Sequence, residues 1–216
     1  MKVKVAANIL GANDRIAGEN SKIFKDNGVY VINMMSSPGA GKTTLLEKTL
    51  AALKDKYKIG VIEGDVATTA DAERIEKLGV PVVQINTDGG CHLDGSMIRA
   101  VLDEFDLASL DMLIVENVGN LVCPAEFKVG EDHKVMLLSV AEGDDKPLKY
   151  PLMFHESSAL IINKSDLIPY TNFDLEKARR DSLSINPKLD IFPVSCRTGE
   201  GLDGWYGWLE ASLKSR

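Results

Sequence analysis

Ser36-Ser37-Pro38-Gly39-Ala40-Gly41-Lys42-Thr43-Thr44 follows directly on the apolar run Val29 to Met35 and leads into an amphipathic pattern over residues 43–56. Strand, glycine-bearing loop, Lys-Thr and helix in that order fit the phosphate-binding pattern G-x-x-x-x-G-K-[ST], with Ser36 standing at the first glycine position. Each residue type has a physical job. Gly39 and Gly41 let backbone N–H groups close around phosphate oxygens, and the helix start adds its dipole. Lys42 reaches the β- and γ-phosphates, and Thr43 can ligate magnesium. Ser37, Pro38, Ala40 and Thr44 complete the stretch that would touch the nucleotide. Ser36 bears on the backbone at the loop's entry and leaves the charge logic untouched.

Outward from this loop, short apolar runs alternate with helical patterns. Candidate strands lie at Val29 to Met35, Ile59 to Ile62, Val82 to Ile85, Met112 to Val115, Val135 to Val140, Ala159 to Ile162 and Ile191 to Val194. Helices are expected near 6–27, 43–56, 70–78, 93–107, 172–184 and 203–214, with Gly28 ending the first. Several runs are nearly continuous Val, Ile and Leu, as in parallel strands covered on both faces. The reading is an α/β chain with the P-loop NTPase fold: a mostly parallel central sheet, helices on both faces, and ligands beyond the carboxyl ends of the strands. Residues 1–216 read as one such domain with a helical N-terminal extension over 1–28. Asp144 to Pro147 is the most loop-like interruption and reads as an insertion.

Composition narrows the partners. The 216 residues carry 25 Lys plus Arg against 32 Asp plus Glu, a net charge of -7. Such a surface repels phosphate polymers, which argues against nucleic acid and anionic membranes. No apolar run reaches the length of a membrane span. Three cysteines are too few and uneven for a secreted disulfide framework, so a cytoplasmic protein with reduced thiols is expected.

Two further loops specify the base. The run Ala159 to Ile162 ends in Asn163-Lys164-Ser165-Asp166, an N-K-x-D pattern. An aspartate there accepts from guanine N1–H and the 2-amino group, donors that adenine lacks on that edge, so the wrong base leaves a polar group unpaired. The stem of Lys164 can lie over the purine while Asn163 braces the loops. The last strand ends in Ser195-Cys196-Arg197-Thr198-Gly199, which resembles the S-A-K loop of GTP-binding proteins, with Cys196 at the alanine position. Simple helix capping is the ordinary alternative for Asn163 and Asp166. Together the elements point to GTP and GDP.

Switch residues follow the same logic. Glu63-Gly64-Asp65 closes one strand, and Glu116-Asn117-Val118-Gly119 closes another as E-x-x-G in place of the familiar D-x-x-G. Asp65 and Glu116 are candidates for the magnesium shell and for water positioning, and Gly119 can offer its N–H to the γ-phosphate. No glutamine follows Gly119 and no arginine finger stands out, so slow intrinsic hydrolysis is expected.

Cys91, His92 and Cys123 fall in loops on this same side of the sheet. Thiolate and imidazole suit Ni(II) or Zn(II) better than the oxygen ligands that hold magnesium. One chain supplies three ligands where closed sites use four, and a twofold homodimer sharing the site is the simplest completion. A buried-thiol coincidence is the alternative. His133 and His155 lack comparable partners and read as structural or surface groups.

S-S-P-G-A-G-K-T-T, E-G-D-V-A-T-T-A-D-A, T-D-G-G-C-H-L-D, E-N-V-G-N-L-V-C-P, D-K-P-L-K-Y-P, N-K-S-D and S-x-R-T-G-E-G together resemble the hydrogenase maturation nickel-incorporation GTPases over residues 5–214. The resemblance implies a nucleotide-dependent homodimer with a Ni or Zn site at its interface, from Cys91, His92 and Cys123. It also implies delivery of nickel to the large subunit of [NiFe]-hydrogenase with a second nickel-binding maturation protein as partner. Some relatives carry an N-terminal Cys motif or a His-rich nickel store; neither stands in this sequence, so no large nickel store is expected. The related urease accessory GTPase is the alternative, with a C-P-H triplet where this chain has Cys91-His92 and Cys123-Pro124 apart. A regulatory GTPase without metal delivery, and a phosphoryl transferase using the same loop, are the other readings. Lys146 and Lys149, in D-K-P-L-K-Y-P, are candidates to reach a neighbouring protomer's nucleotide.

Overall fold

All seven apolar runs form strands in the computed structural model, which describes residues 5–65 and 69–215. Residues 66–68 of the E-G-D-V-A-T-T-A-D-A segment lie outside the described residues. The strands are β1 (Tyr30–Ser36), β2 (Ile59–Asp65), β3 (Val82–Asn86), β4 (Met112–Glu116), β5 (His133–Ser139), β6 (Ala159–Asn163) and β7 (Asp190–Pro193). They form one sheet in the order β3-β2-β4-β1-β5-β6-β7, and every adjacent pair is parallel. The order reverses between β4 and β1 on one side and β5 on the other, so the carboxyl end of β1 opens a crevice where ligands bind in such sheets.

Strand alternation divides the core into two faces. Tyr30, Ile32 and Met34 of β1 point to the side packed by α2 (Lys42–Leu53) and α9 (Leu202–Lys214). Trp205 of α9 is fully buried there, and its indole N–H donates to Thr49 Oγ1 at 2.9 Å. On the opposite face, Val29 and Val31 join Phe24 of α1 (Val5–Asp26) and Ile98 of α4 (Gly95–Arg99). Met35 joins Met153 and Phe154 of α7 (Pro151–Glu156) and Ala178 of α8 (Leu175–Ile185). Helix α1 is stopped by the turn that follows it at Gly28, whose φ of +73° a side chain would resist, while the Val29 amide bonds back to Phe24 O at 2.9 Å.

Two local expectations change, and two short elements appear that the sequence did not announce. The helix foreseen over 93–107 is only α4, capped by Asp94 Oδ1 accepting from Met97 N, followed by 3-10 turns at Leu102–Glu104 and Leu107–Ser109. Phe105 and Leu110 must both reach the bare backbone at Gly60, and the turns bring them there; a Cβ on Gly60 would stand 2.9 Å from Leu110. The stretch around Asp144 to Pro147 is no open loop, because Pro147 sits in the first turn of α6 (Lys146–Lys149) and Pro151 opens α7. Pro124 likewise sits in the first turn of α5 (Cys123–Glu126), a single turn too short to show periodicity. A further 3-10 segment, Ser165–Tyr170, follows β6. Between β2 and β3 runs α3 (Ala70–Glu76). Among the described residues, no helix is long and apolar enough to cross a membrane.

Candidate nucleotide and metal site

A cavity of about 520 Å³ opens at the carboxyl ends of β1, β2 and β4, floored by Gly41, Lys42 and Thr43. A second, of about 330 Å³, adjoins it between Asn163, Asp166, Cys196 and Arg197. Gly41, Thr44 and Lys164 border both. A polar chamber and a more apolar one joined at the start of α2 match the phosphate and base ends of one nucleotide.

The loop owes its shape to its sequence. Gly39 and Gly41 take φ of +75° and +98°, and a Cβ on Gly41 would collide with the Asn163 amide. Asn163 Nδ2 donates to Ala40 O at 2.9 Å, and Lys164 Nζ donates to Gly39 O at 2.9 Å. Ser36, the exception to the motif, is the last residue of β1 and needs no positive φ. Its buried hydroxyl donates to Ser37 O at 2.6 Å and accepts from Lys42 Nζ at 3.0 Å. Ser37 Oγ donates to Glu142. Across the cavity, a Cβ on Gly119 would stand 3.0 Å from the Pro38 backbone, so the bare glycine lets this turn lie closely against the loop.

The base end is similarly pre-arranged. Ser195 Oγ donates to Asp166 Oδ1 at 2.7 Å and accepts from Thr198 N at 3.1 Å, which fixes the carboxylate's rotation. The exposed Arg197 stands 3.9 Å from Asp166 Oδ2. Cys196 N donates to Asn163 Oδ1 at 3.4 Å; burial pushes its thiol up to about 11, so it lines the second cavity as a neutral group. Lys164 adopts left-handed φ of +63°, a strained backbone of the kind concentrated at ligand loops.

Thr43 Oγ1 donates to Glu116 Oε1 at 2.9 Å, joining two of the three residues read as magnesium ligands; Asp65 lines the same cavity. Glu63, which the sequence reading passed over, pairs with Glu116. Burial and then the Glu116 charge push Glu63 up to about 10, so it holds a proton. Burial also raises Glu116, while Lys42 and Thr43 oppose that rise. Among the described residues, Glu63 Oε1 and Glu116 Oε2 are buried with no hydrogen-bond partner. A charged residue at the end of the apolar strand Ile59 to Ile62 was the available signal. Arg74 was also missed. It lines the cavity from α3, with Nε and Nη2 bonded to Glu47 at 3.0 and 2.6 Å and Nη1 to Asp71 at 3.0 Å; the Asp71 pair is a local i,i+3 spacing, whereas Glu47 lies on another helix and no local pattern reveals it.

The metal candidates come together. The Cys91 and Cys123 sulfurs are 3.1 Å apart, Cys91 Sγ is 3.4 Å from His92 Nδ1, and one donor atom from each residue lies within 4.8 Å of the others. The His92 ring packs at a tilt of 36° against Phe127, centroids 3.9 Å apart, and burial lowers its pKa, favouring the neutral imidazole that ligates. Cys123 is raised, by its hydrogen bond with Cys91 first and burial second. Cys91 is exposed, so the three donors present an open side. His133 bonds Ser158 and packs between Tyr30 and Trp208, and His155 pairs with Glu156; both stand apart from this cluster.

A family model described as CobW/HypB/UreG, nucleotide-binding domain, matches residues 30–193. The chain is 48% identical over 214 residues to the hydrogenase maturation factor HypB of Rhizobium leguminosarum bv. viciae, covering 99% of this chain and 72% of that one. The crystal structure of HypB from Helicobacter pylori in complex with nickel superposes with a TM-score of 0.89 at 43% identity, over 94% of this chain and 96% of that one. HypB from Archaeoglobus fulgidus superposes with the same score at 37% identity, over 94% and 99%. Aligned along nearly its whole length and superposed on two solved members, this chain belongs to the hydrogenase maturation factor HypB family.

Proposed function

We propose that this protein is a GTP-hydrolysing nickel chaperone that helps insert nickel into the large subunit of [NiFe]-hydrogenase. The observation that carries the reading is the cluster Cys91, His92 and Cys123, its sulfur and imidazole donors within 4.8 Å, on a sheet whose N-K-x-D loop borders the phosphate chamber. Separated Cys-His and Cys ligands favour this reading over a urease-type factor, and the thiol–imidazole convergence favours it over a regulatory GTPase without metal. Incoming phosphates draw Lys42 from the Ser36 hydroxyl, 3.0 Å away, onto the β- and γ-oxygens. Backbone N–H groups from Gly39 to Thr44 and Gly119 close around them, and Ser37 and Pro38 form the wall facing Gly119. Asp166, held by Ser195, reads guanine N1–H and N2–H while Cys196, Arg197 and Lys164 enclose the ring. The buried oxygen of Glu116, the Thr43 hydroxyl and the Asp65 carboxylate form an oxygen donor set that fits magnesium. Magnesium, when bound, neutralises charge developing on the phosphates.

Asp65 and Glu116 orient the water that attacks the γ-phosphorus as the bond to the bridging oxygen breaks, giving GDP and phosphate. With no glutamine after Gly119, turnover is slow. Nickel, the cargo, binds at Cys91, His92 and Cys123; zinc suits the same donors. Two copies facing each other would close the open side, so a GTP-dependent homodimer is the working form. A second nickel-binding maturation protein and the hydrogenase large subunit are its partners, in the cytoplasm, with no call for nucleic acid or membrane. Phosphate release tests the enzymatic half: GTP is hydrolysed and ATP is not. Equal turnover of both would contradict the guanine assignment. Equilibrium dialysis with nickel and zinc, with and without a non-hydrolysable GTP analogue, tests the other half. Absence of stoichiometric metal in both conditions would remove the chaperone reading.

A further inference from the structure

Leu93 follows the Cys91-His92 pair directly and is fully buried. Its backbone N–H donates to Asn117 Oδ1 at 2.9 Å. The same oxygen accepts from Val118 N at 2.9 Å, in the turn that leads to Gly119. Asn117 Nδ2 donates to Asn33 Oδ1 at 3.1 Å, on β1 three residues before the phosphate loop, and Asn117 N donates to Met34 O at 2.9 Å. One buried amide thus ties the metal loop, the γ-phosphate turn and the strand that feeds the phosphate loop. A second contact converges on the same residue. The Leu93 side chain lies directly on Gly64, between Glu63 and Asp65, where an added Cβ would stand 2.7 Å from Leu93 Cγ. Gly64 has no positive φ, so its missing side chain serves this close approach rather than a special backbone.

We infer that Leu93, clamped by Asn117 and Gly64, is the joint through which the nucleotide chamber and the Cys91-His92 loop sense each other, with Asn117 as its positioning residue. A shift of the 118–119 turn toward a γ-phosphate, or of β2's end toward magnesium, has to carry the amide or the side chain of Leu93 with it. The interior is close-packed, and a buried N–H left without its acceptor is costly. The inference rests on the nickel reading above. The far side of the loop is held independently, because Gly95 N donates to Asn13 Oδ1 at 2.8 Å on α1, away from the nucleotide.

The test is nickel affinity of the full chain, by chelator competition, without nucleotide, with GDP and with a non-hydrolysable GTP analogue. Allosteric coupling of this kind usually spans about 5- to 150-fold. Asn117→Ala and Gly64→Ala are expected to pull the nucleotide-dependent ratio toward one. Asn13→Ala, which loosens the loop without touching the joint, is expected to leave the ratio intact. Melting curves select the variants that fold, and either joint variant suffices. Coupling that survives in a folded joint variant overturns the inference, as does an equal loss in Asn13→Ala. Wild-type chain that binds nickel with no nucleotide dependence overturns it too, while failure to bind nickel at all strikes the function itself.

Discussion

The two halves of the site are built to different standards of completeness. The nucleotide end is assembled within one chain: the loop is pinned by Asn163 and Lys164, Lys42 is parked on Ser36, and Asp166 is oriented by Ser195. The metal end gathers three donors and then stops, with Cys91 exposed and one side open. A pre-organised site binds a ligand without spending affinity on ordering its own groups. An open three-donor site holds metal in a form that a partner can finish or take away. The difference suits a protein that retains its nucleotide and relinquishes its cargo.

Three experiments press on this contrast. Lys42→Ala removes the charge that reaches two phosphates, and GTP turnover is expected to fall by about 10³-fold, at the upper end for losing one pre-organised donor. Nickel stoichiometry should persist. Loss of nickel together with turnover would mean that the two ends are one site. Asp166→Ala deletes two hydrogen bonds to a charged acceptor, each worth about 1.5–3 kcal/mol, so GTP affinity should drop by about 10²-fold or more while ATP affinity barely changes. Parallel losses for both nucleotides would point to a folding defect at the base end. The third experiment titrates nickel affinity against pH. Cys123 has a raised pKa and His92 a lowered one, so near neutrality the thiol carries a proton that metal must displace, whereas the imidazole already carries none. Affinity should therefore rise with pH, about tenfold per unit for each thiol proton released, or about 10- to 100-fold between pH 6.5 and 7.5. A flat profile would remove the thiols from the metal site.

Much of this was legible in the sequence because the signals are local. Seven apolar runs, six of them ending in a polar motif, were enough for the strands, their direction and the loops at their carboxyl ends. What stayed hidden depends on contacts between distant segments. Ser36 departs from the glycine of the motif, yet its purpose, a hydroxyl that holds Lys42, needs the folded loop. Glu63 looks like one more strand-end acid until β2 and β4 pair and set it against Glu116. The helix expected over 93–107 breaks because Gly60, far back in the chain, offers the bare backbone that Phe105 and Leu110 seek. Asn117 sits between two motif residues and reads as a spacer; only the structure brings its amide to Leu93.

On the proposed function, the nickel and GTP sites are separable. Nickel stoichiometry and GTP affinity, measured side by side on wild type and on the Cys91→Ala/Cys123→Ala double variant, test this most directly. The expected result is stoichiometric nickel on the wild type, its loss from the variant, and GTP affinity unchanged within about threefold in the absence of metal. Undiminished nickel on the double variant would contradict the assignment of the site.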